Sequence, residues 1–352
     1  MKGDFTMKTI NEKLLYWAIG KIEKEYKDDV CLLIGNDPLK LEQDTDGASF
    51  DYFIPSNEKA CNLAKTFIVD GIGYDLYPRS WERIESMANL DDYNPTCLGY
   101  AQVLYYRNEE DKNRFHAMQA KLQENLKNSE FMFKKALEKL NVAMEIYQTM
   151  MFEDSIGKVR MAAGFIADYL SVAVAFVNQT YFKYSQINQM AELSAMKDIP
   201  ENFIQYYKAI IHADSVDEFK KLCHLMILST REFMSNRKPK NENDVCNADF
   251  HNLADWYQEL SYTWRRIYYW CDQRDAEKVF VWGCLLQREL DIVKEEFGLN
   301  EMDLFGKYSA EDLLDFRKRA EESEKYIVAE INKHGVTLNE YNSVEDFLTK
   351  NS

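Results

Sequence analysis

Proline is scarce over most of this sequence. Four of the six prolines lie in the first hundred residues, and after Pro95 the next is Pro200. The stretch between these two is rich in Leu, Met, Ala, Lys and Glu, which are residues that favour helices. We therefore predict a change from a mixed segment to an all-helical one, with the domain boundary between residues 107 and 120.

Motifs of several well-known chemistries are also missing. The seven cysteines include no CxxC pair, and the five histidines are scattered. This pattern argues against a zinc knuckle or a disulfide framework, and it indicates free thiols in a reducing compartment. The sequence contains no GxxxxGK[ST], GxGxxG, HExxH or GxSxG motif, which argues against a P-loop enzyme, a dehydrogenase, a zinc protease or a serine hydrolase.

Positive charge is in deficit, with 43 Lys and Arg against 59 Asp and Glu, for a net charge of -16. Phosphate backbones and anionic membranes need clustered basic residues, so we expect neither nucleic acid nor a membrane as a partner. An acidic surface attracts cationic ligands, although it can also serve solubility alone. The first residues are polar, and we see no apolar run of the ~20 residues that span a bilayer. We expect a bacterial protein that is located in the cytoplasm.

The hydrophobic pattern predicts an α+β fold. Short apolar runs that end at Gly or Pro predict strands, and apolar residues at helical spacing predict helices between them. The predicted strands are residues 30–34, 49–54, 73–77 and 101–106, and the predicted helices are 11–26, 57–69 and 81–88. Strands alternating with helices indicate a small mixed sheet covered by helices in residues 1–110, followed by a large all-helical bundle in residues 111–352.

Carboxylates are concentrated in this small domain. Asp51 and Asp75 each lie in a predicted strand, where aspartate is depleted. Asp44 and Asp46 lie in a polar stretch before Asp51, where aspartate most often only forms turns. Two neighbouring strands that each present an aspartate on one face can hold divalent cations through oxygen ligands. Such cations can clamp the phosphates of a nucleotide for in-line displacement.

A glycine turn and an arginine flank these carboxylates. Gly35 and Asn36 follow the first predicted strand, and a glycine there lets backbone amides approach phosphate oxygens. Arg79 follows the strand that carries Asp75, and its planar guanidinium can bind a triphosphate. The alternative for Arg79 is a helix-surface ion pair with Glu82 or another nearby glutamate, which is the more common arrangement.

This order of strand, glycine turn, acidic strand, helix and acidic strand resembles the nucleotidyltransferase superfamily that includes the aminoglycoside and lincosamide nucleotidyltransferases. The resemblance covers residues 10–107 by motif and the helical half by architecture only. It implies that Gly35 and Asn36 bind the nucleotide, and that Asp51 and Asp75 hold Mg²⁺ and act in catalysis. It also implies that a helical half binds the acceptor.

The family pattern has a pair of carboxylates two residues apart on one strand. The residues two positions from Asp51 are Ser49 and Phe53, and neither binds a metal well. The resemblance therefore implies either that Asp46 or Asp44 replaces the missing ligand, or that the site has lost catalysis.

The helical half offers a second group of candidates. His251, Asp255 and Glu259 follow one another at four-residue spacing, so they share a helix face that can supply a general base or bind an acceptor. A solvated acidic face is the more common meaning of such spacing. The neighbouring cluster of aromatic residues is typical of a hydrophobic core. Part of this cluster can form the floor of a ligand pocket.

Three functional hypotheses follow. The first is transfer of a nucleoside monophosphate from a nucleoside triphosphate to a small hydroxyl- or amine-bearing acceptor, possible examples being aminoglycoside-like compounds. The second is a degenerate nucleotidyltransferase fold that binds a nucleotide or a partner without turnover. The third is a helical scaffold that the small domain only caps.

Overall fold

A computed structural model describes residues 10–36, 50–239 and 249–351. The chain divides into two compact units, Met1–Pro239 and Lys240–Ser352. The described part of the first unit contains a mixed β-sheet and helices up to residue 235. The second unit is helical wherever its described part has regular structure. The α+β class is as predicted. The boundary predicted near residue 110 lies within the first unit, where the sheet and the helices share a core.

Within the described residues the sheet has five strands, which are β1 (Val30–Gly35), β2 (Phe50–Pro55), β3 (Lys65–Val69), β4 (Ile72–Pro78) and β5 (Gln102–Tyr106). Their order across the sheet is β3-β4-β2-β1-β5. β2 and β4 are parallel, whereas β1 pairs antiparallel with β2 and β5, and β3 pairs antiparallel with β4. The sheet is therefore mixed, and β1 and β2 are flanked on both sides.

The helix predicted over residues 57–69 is wrong. This segment forms a short 3-10 turn, Glu58–Leu63, and then the strand β3. Val69 pairs with Ile72 across a two-residue turn in which Asp70 and Gly71 both have positive φ. Asp-Gly between two β-branched and aromatic runs is a strong hairpin signal, and it outweighs the helical spacing of the apolar residues.

The two faces of the sheet are covered by different elements. On one face Leu33 and Phe53 belong to a core with Ile22, which follows helix α1 (Ile10–Lys21). On the other face Tyr52 belongs to a core with Ile84 of helix α2 (Trp81–Ala88) and with the short helix α3 (Thr96–Gly99). Burial of both faces explains why the strand sequence of β1 is continuously apolar.

The second of these cores continues into the helices that follow β5. It includes buried side chains from α4, α5, α6, α8 and α9, so the sheet and this bundle form one packed unit. The absence of proline between residues 95 and 200 is consistent with this helical course. The helices are α4 (Glu109–Lys127), α5 (Ser129–Met150), α6 (Ile156–Val177), α7 (Gln189–Ser194), α8 (Phe203–His212) and α9 (Val216–Ser235).

One helix of the described residues has the length and mean hydropathy of a membrane span. It is α6, Ile156–Val177, and 56% of its most apolar window is buried inside the protein. A core helix passes the same test, so this one helix is weak evidence for a membrane.

The second unit has a core of its own. Trp264, Leu286, Phe316 and Ile327 are buried at its centre, as the aromatic richness of this region predicts. Its exposed aromatic side chains include Tyr262, so the predicted cluster is core only in part. The helices are α10 (Phe250–Asp272), α11 (Ala276–Phe297), α12 (Leu314–Lys333) and α13 (Val344–Lys350).

Candidate functional site

A β-bulge in β2 determines where the Asp51 side chain lies. Ile34 pairs with Tyr52 and Gly35 pairs with Phe50, so Asp51 is an extra residue opposite no residue of β1. A bulge re-aims side chains and is common beside active sites. Asp51 is turned toward Tyr77 of the neighbouring strand β4, whose hydroxyl donates to Asp51 Oδ1 at 3.4 Å.

Arg79 lies directly after β4 and is buried, with only 6% of its surface exposed. Its guanidinium carbon is 4.4 Å from the ring centre of Tyr52 and 5.0 Å from that of Tyr77, so the cation sits against two aromatic faces. It donates to the Tyr77 hydroxyl, and it contacts the sulfur atoms of Met87 and Cys97 at 3.5 Å each. Arg79 is therefore neither a helix-surface residue nor paired with Glu82.

Asp51, Tyr77 and Arg79 thus form a chain of polar contacts in a mostly apolar environment. Burial, and then the Asp51 charge, raise the pKa of Tyr77 to about 12. Burial, and then Asp51, raise the pKa of the Cys97 thiol to about 11. Burial lowers the pKa of Arg79, and the nearby Cys97, Asp51 and Tyr77 groups together raise it by more, so Arg79 stays charged. The site is therefore a buried cation next to one carboxylate, with its phenol and thiol protonated near neutral pH.

Several polar atoms here have no hydrogen-bond partner in the described part of the chain. They are Asp51 Oδ2, Arg79 Nε and both polar atoms of the Asn36 side chain, which is only 5% exposed. An unpaired buried polar group costs about 1–3 kcal/mol. Because native proteins rarely carry several such groups together, this cluster suits a ligand, ion or water molecules that would pair with them.

Gly35 and Asn36 come to the same end of the sheet as Asp51. Gly35 is the last residue of β1 and pairs with Phe50 on one side and Gln102 on the other. It therefore belongs to the strand, and the turn predicted at Gly35 begins no earlier than Asn36. Asp44 and Asp46 lie outside the described residues, so their predicted roles stay predictions.

Asp75 lies on β4, two residues before Tyr77. Side chains alternate along a strand, which places Asp75 on the same face as Tyr77 and hence on the face toward which Asp51 turns. Asp75 is exposed, and its Oδ1 accepts a hydrogen bond of 2.8 Å from Thr66 on β3. The two aspartates are therefore on neighbouring parallel strands, one partly buried and the other open to solvent.

The oxygen atoms at this edge are of the type that Mg²⁺ binds. Asp51 Oδ2 and Asn36 Oδ1 lack partners among the described residues, and Asp75 is accessible. Mg²⁺ is often held by one or two carboxylates, with water and phosphate oxygens completing its shell. Within residues 10–36, 50–239 and 249–351 no group of three or more His, Cys, Asp and Glu side chains is arranged to hold a metal. These oxygen atoms fit an Mg²⁺ ion that also binds phosphate and water. Among the described residues the protein does not supply all the ligands of such an ion.

The predicted acceptor-binding residues lie in the second unit. His251, Asp255 and Glu259 are exposed along α10, and Asp255 Oδ1 accepts from Gln258 at 3.1 Å. This arrangement has the features of a solvated helix face. A carboxylate of this unit that accepts from two tyrosine hydroxyls is Glu324 of α12, whose oxygens accept from Tyr257 and Tyr268 at 3.1 and 2.6 Å.

Sequence analysis missed Tyr52, Tyr77 and Cys97, which surround Arg79. The sequence could have identified Tyr77 as a site residue, because it lies on the face of β4 that carries Asp75 and comes two residues before Arg79. Cys97 had none, since only the packing of α3 against the sheet brings it to Arg79.

Comparisons with known proteins find a distant structural similarity. No protein-family profile and no curated protein matches the sequence. Among solved structures, the fold is similar to a nucleotidyltransferase-like protein from Exiguobacterium sibiricum 255-15, with 10% sequence identity and a TM-score of 0.36. The match covers 63% of this chain and 74% of the other. A similarity at this level carries no information about substrate or acceptor.

Proposed function

We propose that this protein binds a nucleoside triphosphate with Mg²⁺ at the edge formed by β1, β2 and β4, and transfers its nucleoside monophosphate to a small hydroxyl- or amine-bearing acceptor. The observation that carries the proposal is that buried polar atoms of Asn36, Asp51 and Arg79 have no hydrogen-bond partner among the described residues, beside the accessible carboxylate of Asp75. The cytoplasm is the proposed location, consistent with the free thiols of the six described cysteines.

Each residue has a proposed role that follows from its position. Asp51 and Asp75 are the carboxylates for Mg²⁺, with Asp46 or Asp44 as a proposed third. When bound, Mg²⁺ neutralises phosphate charge and polarises the phosphoryl oxygens. Asn36, next to Gly35, offers an amide donor to a phosphate oxygen, and the buried charge of Arg79 makes this edge attractive to anions.

In the proposed reaction the acceptor oxygen or nitrogen forms a bond to the α-phosphorus, and the bond between the α-phosphorus and the bridging oxygen breaks. Pyrophosphate leaves, and the acceptor gives up its proton to a carboxylate or to water. Asp255 and Glu259 stay the proposed acceptor-binding residues, because a negative helix face attracts a cationic acceptor such as an aminoglycoside-like amine.

A second candidate is nucleotide binding without turnover. It is favoured by Ser49 at the position of a family carboxylate and by the lack, in the described residues, of a three-carboxylate group. Binding alone needs the anion-attracting edge and not a complete set of metal ligands. Both candidates predict nucleotide binding, and they differ in metal dependence and in product release.

Thermal stability in the presence of ATP, GTP, CTP or UTP, each with and without Mg²⁺, tests the proposal. A ligand at 100 times its Kd stabilises the folded state by about 2.7 kcal/mol, which is readily measured as a rise in Tm. We expect one nucleotide to stabilise the protein only with Mg²⁺, and Asp75→Asn to remove this effect. Asp75→Asn keeps an acceptor for Thr66 at an exposed position, so the fold is retained.

The matched control is Asp70→Asn in the β3–β4 turn. It makes the same change of charge on the same hairpin, and asparagine tolerates the positive φ of Asp70. This variant is expected to keep the metal-dependent rise in Tm. Stabilisation without metal, with no pyrophosphate released in the presence of hydroxyl and amine acceptors, selects the binding-only candidate. No response to any of the four nucleotides overturns both.

A further inference from the structure

A cavity of about 780 Å³ lies in the first unit, among residues that the candidate nucleotide site does not use. Its walls come from α6, α7 and α8, from the turn before α7, and from Tyr93 in the loop after α2. Much of the lining is apolar or aromatic and partly open to solvent, with Met161, Phe165 and Ile187 each more than half exposed. Volumes of roughly 300–1,000 Å³ with mixed apolar and polar walls are typical of small-molecule sites.

One wall of this cavity carries an organised polar network. The amide nitrogen of Gln189 donates to Asp168 Oδ1 at 2.6 Å, and its amide oxygen accepts from the Tyr207 hydroxyl at 2.9 Å. Gln189 is only 5% exposed, so both ends of its amide are fixed by these contacts. The carboxylate of Asp168 is therefore held in one orientation by a buried side chain and keeps an oxygen available to a ligand.

The negative charge of Asp168 is not balanced locally. Among the described residues it forms no ion pair with a lysine or arginine, and its only hydrogen-bond partner there is the neutral Gln189. Burial first, and then the charge of Asp168, raise the pKa of both Tyr93 and Tyr207. Two hydroxyl groups of the cavity lining thus experience the same unneutralised carboxylate.

Arg160 also lines the cavity, but its guanidinium contacts other groups. The guanidinium of Arg160 donates to the Ala213 carbonyl oxygen at 3.4 Å and lies 5.3 Å from the ring centre of Phe219. Asp168 and Arg160 are eight residues apart on α6, so they lie at different heights of the helix. The cavity therefore combines aromatic walls with a free negative charge, which is the combination that attracts an organic cation.

We propose that this cavity binds a protonated amine carried on an aromatic or branched apolar body. The ammonium group donates to Asp168, and the apolar body packs against Phe165, Met161 and Ile187. The ring of Tyr93 adds an aromatic face to the same wall. A polyhydroxylated amine fits this lining less well, because its hydroxyl groups would lose water against apolar side chains.

Gly164 gives a means of closing the cavity without disturbing the fold. It lies in the middle of α6 on the cavity wall, and a Cβ added there meets no atom within 4 Å. Leucine has a higher helix propensity than glycine, so Gly164→Leu fills space while favouring the helix. Gly157 is also on α6, has the same free space around an added Cβ, and is not part of the cavity lining.

The test uses three small probes of similar shape, 2-phenylethylammonium, 2-phenylethanol and 3-phenylpropionate, with Kd measured by ligand-observed NMR on the full chain. We expect the cation to bind more tightly than the alcohol by about tenfold or more, since a hydrogen bond to a charged group contributes about 1.5–3 kcal/mol. Asp168→Asn is expected to remove this advantage and to leave the Kd of the alcohol unchanged.

Two controls separate a local effect from damage to the fold. Asp154→Asn removes a fully exposed carboxylate just before α6, and it is expected to leave the Kd of the cation unchanged. Gly164→Leu is expected to abolish binding of the cation and the alcohol, whereas Gly157→Leu retains it. The proposal is overturned if the anion binds best, if Asp168→Asn keeps the preference for the cation, or if no probe binds at millimolar concentration. None of these outcomes bears on the nucleotide site.

Discussion

Two partly buried groups of tyrosine and carboxylate, one in each unit, have the same residue types and a different balance of contacts. In the second unit Glu324 uses one oxygen for Tyr257 and the other for Tyr268, at 3.1 and 2.6 Å. In the first unit Asp51 has one oxygen at 3.4 Å from the Tyr77 hydroxyl and the other without a partner in the described residues. The buried cation Arg79 lies beside Asp51, whereas no described residue of the Glu324 group is a buried cation.

This difference separates a structural role from a binding role. The Glu324 group is nearly satisfied within the protein, so its contacts stabilise the packing of α10 against α12. The Asp51 group leaves a carboxylate oxygen, a guanidinium N–H and the Asn36 amide without partners among the described residues, and such unpaired groups lower stability until something binds. Functional sites commonly keep such unsatisfied groups at a cost to stability.

The largest expected effect on this comparison comes from removing the buried cation. Arg79→Leu leaves Asp51 without a nearby positive charge and removes the hydrogen bond to Tyr77. We expect a loss of about 3 kcal/mol or more in the free energy of unfolding, the usual consequence of breaking a buried charge arrangement. Urea unfolding followed by circular dichroism measures it.

Arg83→Leu is the matched control for this substitution. Arg83 is an exposed arginine four residues further on, paired with Asp92 at 2.9 Å, and its loss should cost at most about 1 kcal/mol. In addition, Asp51→Asn combined with Arg79→Leu should cost less than the sum of the two single changes, because each removes the other's counter-charge. Additive costs would show that Asp51 and Arg79 do not interact.

The fold was predictable from local patterns to the extent that each pattern had one meaning. Helix α2 was predicted with its bounds, since Ser80 caps it and Pro78 precedes it. β3 was missed because residues 57–69 also have helical spacing, and only the Asp70–Gly71 turn decides between the two. The division into units near residue 240 left a weaker signal than the change in composition near residue 110, because helices occur on both sides of it.

The site was less predictable than the fold, because packing and not sequence spacing creates it. Nothing in the sequence shows that β2 has a bulge at Asp51, which depends on how β1 pairs with it. Arg79 was identified as a candidate, but its burial between two tyrosine rings follows from the register of β2 against β4, in which Tyr52 pairs with Tyr77.

A smaller effect is expected from neutralising the satisfied carboxylate. Glu324→Gln retains one oxygen acceptor and turns two charge-assisted hydrogen bonds into neutral ones, so we expect a loss of about 1 kcal/mol in the free energy of unfolding. The control is Glu321→Gln on the same helix, which affects only a partly exposed pair with Arg317 and should change stability by less than that. A loss as large as that of Arg79→Leu would contradict the distinction between the two groups.

The smallest effect concerns the alkaline limit of the second unit. Burial, and after it the Glu324 carboxylate, raise the pKa of Tyr257 to about 12 from 10.0. The folded state therefore holds this proton more tightly than the unfolded state, so the contribution to stability is complete below pH 10 and is lost as the pH rises to about 12. In the Glu324→Gln variant Tyr257 is still buried, but the negative charge is gone, so the pKa of Tyr257 should fall. An absorbance titration measures it, and the titration of the same protein with Tyr257→Phe is subtracted to isolate Tyr257. The midpoint of this difference should be lower in Glu324→Gln than in the unchanged protein. An unchanged midpoint would mean that burial alone sets this pKa, and the Glu324 group would then owe its order to packing and not to its charge.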